Sequence, residues 1–152
     1  MSNVDSTPGL KVLVVALDAA EPPSLTADSV HVIAPAINSR QRRWLSDEDG
    51  ARGKAEERLA ASVERLRRKG RRVSGTVGDA DPVLAIADAL AMFAADQILV
   101  AADSQSSRRL AREVAGRARR RFALPIAVSA DGAPHVALPA SREYARLSGV
   151  LA

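Results

Sequence analysis

Polar side chains that could bind a charged ligand lie just beyond two apolar runs of this chain. These candidate ligand residues are Asp18, Asp103, Ser104, Ser106 and Ser107. Serine hydroxyl groups and the backbone N–H groups of a helix start donate to anions, whereas two carboxylates repel a phosphate unless a divalent cation lies between them. The pattern favours serines that cap a helix, and a magnesium-dependent anion site is the alternative.

A turn that begins with glycine supplies one more candidate. Residues 78–82 read Gly-Asp-Ala-Asp-Pro, in which Asp81 and Pro82 are typical of a helix cap and the first helical position. A turn that requires a positive φ is the favoured explanation of Gly78, and contact with a ligand is the other. Asp79 and Asp81 are interpreted as turn and cap residues rather than as metal ligands.

Cysteine and histidine usage excludes several kinds of site. The chain has no cysteine, which excludes disulfides, cysteine-ligated metal and thiol catalysis. Its two histidines, His31 and His135, are far apart in sequence, which argues against a histidine metal site or a catalytic triad. His31 lies within an apolar run and is predicted to be a hydrogen-bonded core residue.

The composition predicts one soluble, cytoplasmic domain. The chain has 152 residues, is 47% hydrophobic and carries a net charge of +4. It has no run of about twenty apolar residues and no signal-peptide pattern, so no membrane association is expected. The arginine-rich runs 65–72 and 117–121 fall at predicted helix ends, and no aromatic residues are interleaved with them. Binding of nucleic acid is therefore not expected.

Alternating strand and helix patterns predict an α/β fold with a parallel sheet in three layers. The predicted strands are 11–17, 30–34, 72–77, 97–101 and 124–128, and the predicted helices begin at 46, 83, 108 and 141. The first crossover contains Pro22 and Pro23 and is too short for an ordinary helix, so the first helix is predicted to be short or missing. Residues 141–152 or a partner subunit would then cover the exposed sheet face.

Several of these segments resemble the universal stress protein family over residues 10–130. The similar segments are 12–18 (VLVVALD), 77–79 (VGD), 86–89 (IADA), 95–100 (ADQILV) and 124–128 (LPIAV). The resemblance implies a five-stranded sheet in the order 3-2-1-4-5, of the Rossmann-like adenine nucleotide alpha hydrolase type, and a homodimer formed through the fifth strand. Residues 1–9 are expected to be a flexible N-terminus. Residues 131–152 are expected to form an extension with a turn, a short strand and a short helix.

The loop after the fourth strand differs from that of the nucleotide-binding members of this family. Those members carry Gly-x-x-Gly, nine residues and then Gly-Ser or Gly-Thr, whereas residues 102–107 read Ala-Asp-Ser-Gln-Ser-Ser and the next glycine is Gly116. Without glycine, Cβ atoms keep the backbone N–H groups away from phosphates. By the resemblance, Asp18 matches the acid that contacts the nucleotide, and Asp103 adds a second negative charge.

Three functions follow from these expectations. The first is a non-catalytic, dimeric module in regulation or the stress response, which needs no cofactor and could bind a protein partner. The second is an adenine-nucleotide binder with weak hydrolysis, which would use ATP with magnesium at Asp18, Gly78 and residues 104–107. The third is association with nucleic acid through the arginine runs.

Overall fold

A computed structural model of the chain describes residues 10–18, 27–37, 48–68, 72–102 and 104–129. The elements within these ranges are β1 (Lys11–Ala16), β2 (Ser29–Pro35), α1 (Glu48–Arg68), β3 (Arg72–Gly78), α2 (Pro82–Met92), β4 (Gln97–Ala101), α3 (Gln105–Arg121) and β5 (Ile126–Ser129). None of the helices in these ranges is long and apolar enough to cross a membrane.

The five strands form one parallel sheet in the order β3-β2-β1-β4-β5. In the central strand, Val14 lies beside Val32 of β2 and Leu99 of β4. This arrangement confirms the predicted α/β sandwich and its strand order. The order reverses between β1 and β4, and in open α/β sheets a crevice lies at the carboxyl ends of the strands at this point.

Both faces of the sheet are buried, which explains why β1, β2 and β4 are apolar without alternation. One face packs against α2 and α3 through Leu13, Val15, Ile33, Ile98, Val100, Ile86 and Val114. On the other face, Val12, Val14, Val32 and Leu99 form one buried cluster with Leu66 of α1. The three layers hold the carboxyl ends of β1 and β4 in fixed positions beside the start of α3.

Two helices differ in detail from their predictions. Helix α3 begins three residues before the predicted start because Ser104 forms its N-cap. Helix α2 has the predicted cap, since Asp81 Oδ1 accepts from Val83 N at 3.0 Å. The sequence of α2 is apolar on most sides, a pattern that favours full burial, but Met92 is 80% exposed and Leu84 is 40% exposed.

The ends of β1, β2, β3 and β5 also differ from the predictions, by one or two residues. Strand β5 begins at Ile126 and not at residue 124, since Pro125 has no N–H group to donate to the sheet. Strand β2 extends to Pro35 as its last residue, opposite Gly78. A proline fits this position because the ladder ends there.

Several predictions fall outside the described residues. They concern the N-terminus 1–9, the crossover 19–26, Asp103 and the C-terminal extension 131–152. Within the described ranges, the first helix of the chain follows β2.

Candidate functional site

Asp18 and the start of α3 meet at the carboxyl edge of β1 and β4. The backbone N–H group of Ser104 donates to Asp18 Oδ2 at 3.1 Å, and Ser104 Oγ lies 3.4 Å from the same oxygen. The N-terminus of a helix attracts anions because its first N–H groups point outward and its dipole is positive there. Asp18 therefore places a carboxylate of the chain itself where an external anion would bind.

The serines at this helix start bind mainly to one another. Ser104 Oγ accepts from Ser107 N at 3.2 Å and donates to Ser107 Oγ at 2.8 Å. Its one hydrogen serves a single acceptor at a time, and the Ser107 hydroxyl is closer than Asp18. Ser106 Oγ lies 3.5 Å from Ser104 Oγ. The capping role predicted for these serines is confirmed for Ser104, whose hydroxyl group accepts from an N–H group in the first turn of the helix.

Arg58 of α1 belongs to the same edge and was missed by the sequence reasoning. Its Nη2 donates to the carbonyl oxygen of Pro35 at 2.6 Å. Burial lowers the pKa of the Arg58 guanidinium from its ordinary value, and the nearby carboxylate of Asp18 opposes that shift. Asp18 thus lies between a cation and the positive end of a helix.

A sequence signal for Arg58 exists. Ala51, Ala55 and Ser62 are buried, and Arg58 lies between Ala55 and Ser62 at helical spacing, on the inner side of α1. An arginine on the inner face of a helix needs a polar partner. The strand end at Pro35 and the carboxylate of Asp18 provide it.

Gly78 does not join this group of residues. It is the last residue of β3, two strands away from β1, and its carbonyl oxygen accepts from Ala36 N at 3.2 Å. The prediction of a positive φ at Gly78 is wrong, because its φ lies outside the left-handed region. A Cβ at this position would lie 2.7 Å from the Cβ of Ala85, so close packing against α2 requires the glycine.

Gly78 instead lines a separate open pocket of about 410 Å³ between α2 and the edge of the sheet formed by β2 and β3. The polar side chains of this pocket include His31, Thr76, Asp79 and Asp88. Asp79 Oδ1 accepts from Asp81 N at 2.9 Å, which confirms its predicted role in the turn. The pocket does not include the candidate residues at the start of α3.

His31 is a satisfied core residue at the floor of this pocket. Its Nδ1 lies 2.7 Å from Ser74 Oγ and its Nε2 lies 3.3 Å from Thr76 Oγ1. Its ring stacks on Phe93 with the centroids 5.4 Å apart. Burial lowers the pKa of the imidazole, which favours the neutral form. The predicted hydrogen-bonded core role is confirmed.

In the ranges that the structure describes, no group of three or more histidine, aspartate or glutamate side chains could hold a metal ion. The polar groups at the edge of β1 and β4 are a carboxylate, a helix cap and a guanidinium that contact one another or the backbone. No protein-family model matches the chain, and no curated protein is significantly similar to it.

Proposed function

We propose that this chain is a non-catalytic module of the universal stress protein type, a dimeric regulatory or stress-response protein that does not bind ATP tightly. The observation that carries the proposal is the hydrogen bond from Ser104 N to Asp18 at 3.1 Å. The strand order and the sequence segments similar to that family support the type of fold.

A phosphate at the start of α3 would have to replace the carboxylate of Asp18. The bond that it would break is a hydrogen bond to a charged group, and such bonds contribute about 1.5–3 kcal/mol. The displaced carboxylate would stay close to the phosphate and repel it. Polyphosphate binding is therefore opposed both by the lost bond and by the remaining charge.

The backbone of this loop opposes phosphate binding as well. Residues 102–107 contain no glycine, so every residue carries a Cβ that limits close approach to the N–H groups. Ser107 N is already bound to the hydroxyl group of Ser104. The N–H group of Ser107 is therefore not available to a ligand.

Adenine-nucleotide binding with magnesium is the second candidate. The guanidinium of Arg58 favours it, since a cation beside a helix start is a common partner of phosphate. Binding of this kind would need Asp18 to turn away from Ser104 or to hold the magnesium ion.

Isothermal titration calorimetry with ATP and magnesium separates the two candidates. We expect no saturable heat from the native chain up to about 1 mM nucleotide. The Asp18→Asn variant removes the negative charge and should bind ATP more tightly than the native chain. Asp28→Asn, an exposed residue before β2, is the matched control and should behave like the native chain. Saturable micromolar binding by the native chain would refute the proposal.

A further inference from the structure

We infer that β3 pairs with β3 of a second copy of this chain, in a symmetric antiparallel arrangement that joins two sheets. Strand β3 is the outermost strand on its side of the sheet, and β2 is its one strand neighbour among the described residues. The inference names the interface of the dimer in the proposed function, but it is argued from β3 and the residues beside it and is independent of nucleotide binding.

Within the part of the chain that the structure describes, strand β3 lacks the usual protection of an edge strand. It has seven residues, contains no proline and carries one charged residue, Arg72, at its start. The side chains of Ser74 and Thr76 are exposed. Natural edge strands are usually protected by lysine, proline, bulges or short length, and a strand without these features tends to pair with another chain.

The sequence of β3 is complementary to itself. Residues 73–77 read Val-Ser-Gly-Thr-Val, which is close to a palindrome about Gly75. A two-fold axis through Gly75 would place Val73 opposite Val77 of the second copy and Ser74 opposite Thr76 of the second copy. Pairs of β-branched residues and pairs of hydroxyl residues stabilise antiparallel strands, and a two-fold interface must match itself in this way.

The charges at the two ends of β3 are also complementary. In this register, Arg72 lies opposite Gly78 of the second copy and beside its Asp79. Arg72 and Asp79 are exposed, and the charged residues that line the pocket at the other end of the strand are Asp79, Asp88 and Arg52 of α1. The two-fold axis repeats the contact between Arg72 and Asp79, so each copy would supply one arginine and one aspartate to it.

An exposed apolar side chain beside β3 supports the same interface. Met92 of α2 is 80% exposed and lines the pocket that Thr76 also lines. A strand added at β3 would lie next to Met92 and remove part of it from water. The other edge of the sheet, β5, has four residues, Ile-Ala-Val-Ser, and this sequence is not a palindrome.

Sedimentation velocity between about 1 and 100 µM protein tests this interface. We expect a concentration-dependent dimer for the native chain. Thr76→Lys should raise the dimer dissociation constant at least about tenfold, because the new lysine lies diagonal to Arg72 of the second copy. Ala123→Lys, which adds the same charge at an exposed position before β5, is the matched control and should dimerise like the native chain.

A charge exchange provides a second test if Thr76→Lys lowers the stability of the fold. Arg72→Asp should weaken the dimer, and the double variant Arg72→Asp with Asp79→Arg should restore it, with circular dichroism confirming that each variant is folded. A native chain that is monomeric at about 100 µM, or a folded Thr76→Lys variant that dimerises like the native chain, would overturn the inference. A double variant that stays as monomeric as Arg72→Asp would also overturn it.

Discussion

Gly78 contacts α2 so closely that only a hydrogen fits at its Cα. In Gly78→Ala, the new Cβ would lie 2.7 Å from the Cβ of Ala85, an atom that cannot move without the helix. We expect the substitution to lower the free energy of unfolding by about 1–3 kcal/mol, as overpacking does elsewhere. Urea denaturation measures this change.

Gly53→Ala is the control for this substitution. Gly53 lies within α1, and a Cβ there would meet no atom within 4 Å. Alanine favours a helix over glycine, so this variant should be more stable by about 0.5–1 kcal/mol. Equal effects at the two positions would show that contact with Ala85 is not the reason for Gly78.

His31 gives the fold a dependence on pH. Burial lowers the pKa of His31 in the folded chain below its ordinary value of 6.5, so the unfolded chain binds a proton more readily as the pH falls. The stabilisation is present above pH 6.5 and is lost as the pH falls through the lowered pKa. The melting temperature should drop between about pH 7.5 and pH 5.

The His31→Gln variant isolates this contribution. Glutamine keeps polar atoms near Ser74 and Thr76 but does not titrate in this range. The melting temperature of the variant should depend less on pH than that of the native chain. If the melting temperatures of the variant and the native chain depended equally on pH, titratable groups other than His31 would cause that dependence.

The residues at the edge of β1 and β4 were partly predictable. Asp18 and Ser104 follow adjacent strands, so their proximity follows from the strand order. Arg58 comes from a helix on the far side of the sheet, and its place beside Asp18 depends on how α1 packs. A positive φ was the wrong explanation of Gly78, because the glycine is required by its contact with Ala85, and no neighbouring residue in the sequence indicates that contact.

At the scale of elements, the start of α3 depends on one hydroxyl group. Ser104 Oγ accepts from Ser107 N, and Ser104→Ala leaves this N–H group without its cap. We expect the free energy of unfolding to fall by about 0.5–2 kcal/mol. Chemical denaturation followed by circular dichroism measures the loss.

Ser106→Ala is the matched control within the same turn. Its hydroxyl group is exposed and lies 3.5 Å from Ser104 Oγ, so its removal should change the free energy of unfolding by less than about 0.5 kcal/mol. If the two variants were equally destabilised, the cap assigned to Ser104 would be incorrect.

Element boundaries were predictable where local chemistry decides them. Strand β4 has the predicted ends, Gln97 and Ala101, and α2 begins after Asp81 as its cap predicts. The exposure of Met92 was not predictable, because it depends on how far α2 extends past the edge of the sheet. Packing between elements, rather than propensity, decides such cases.

At the scale of the whole molecule, the positive charge is concentrated in one helix. Seven arginines and one glutamate give α3 a net charge of +6, which exceeds the +4 of the chain and leaves −2 for the remaining residues. Two of these arginines serve the fold. Arg117 pairs with Asp81 at 3.3 Å, and Arg119 donates to the carbonyl oxygen of Ile126 at 2.9 Å.

The proposed exclusion of nucleotide concerns the carboxyl edge of the sheet, where the strand order reverses. The backbone amide of Ser104 reports directly on this edge, since it donates to Asp18 in the absence of ligand. Its ¹H–¹⁵N NMR resonance, followed during titration with ATP and magnesium, is the most direct measurement. We predict that the resonance does not move in a saturable way up to about 1 mM nucleotide. A saturable shift of the Ser104 resonance at micromolar nucleotide would contradict the account.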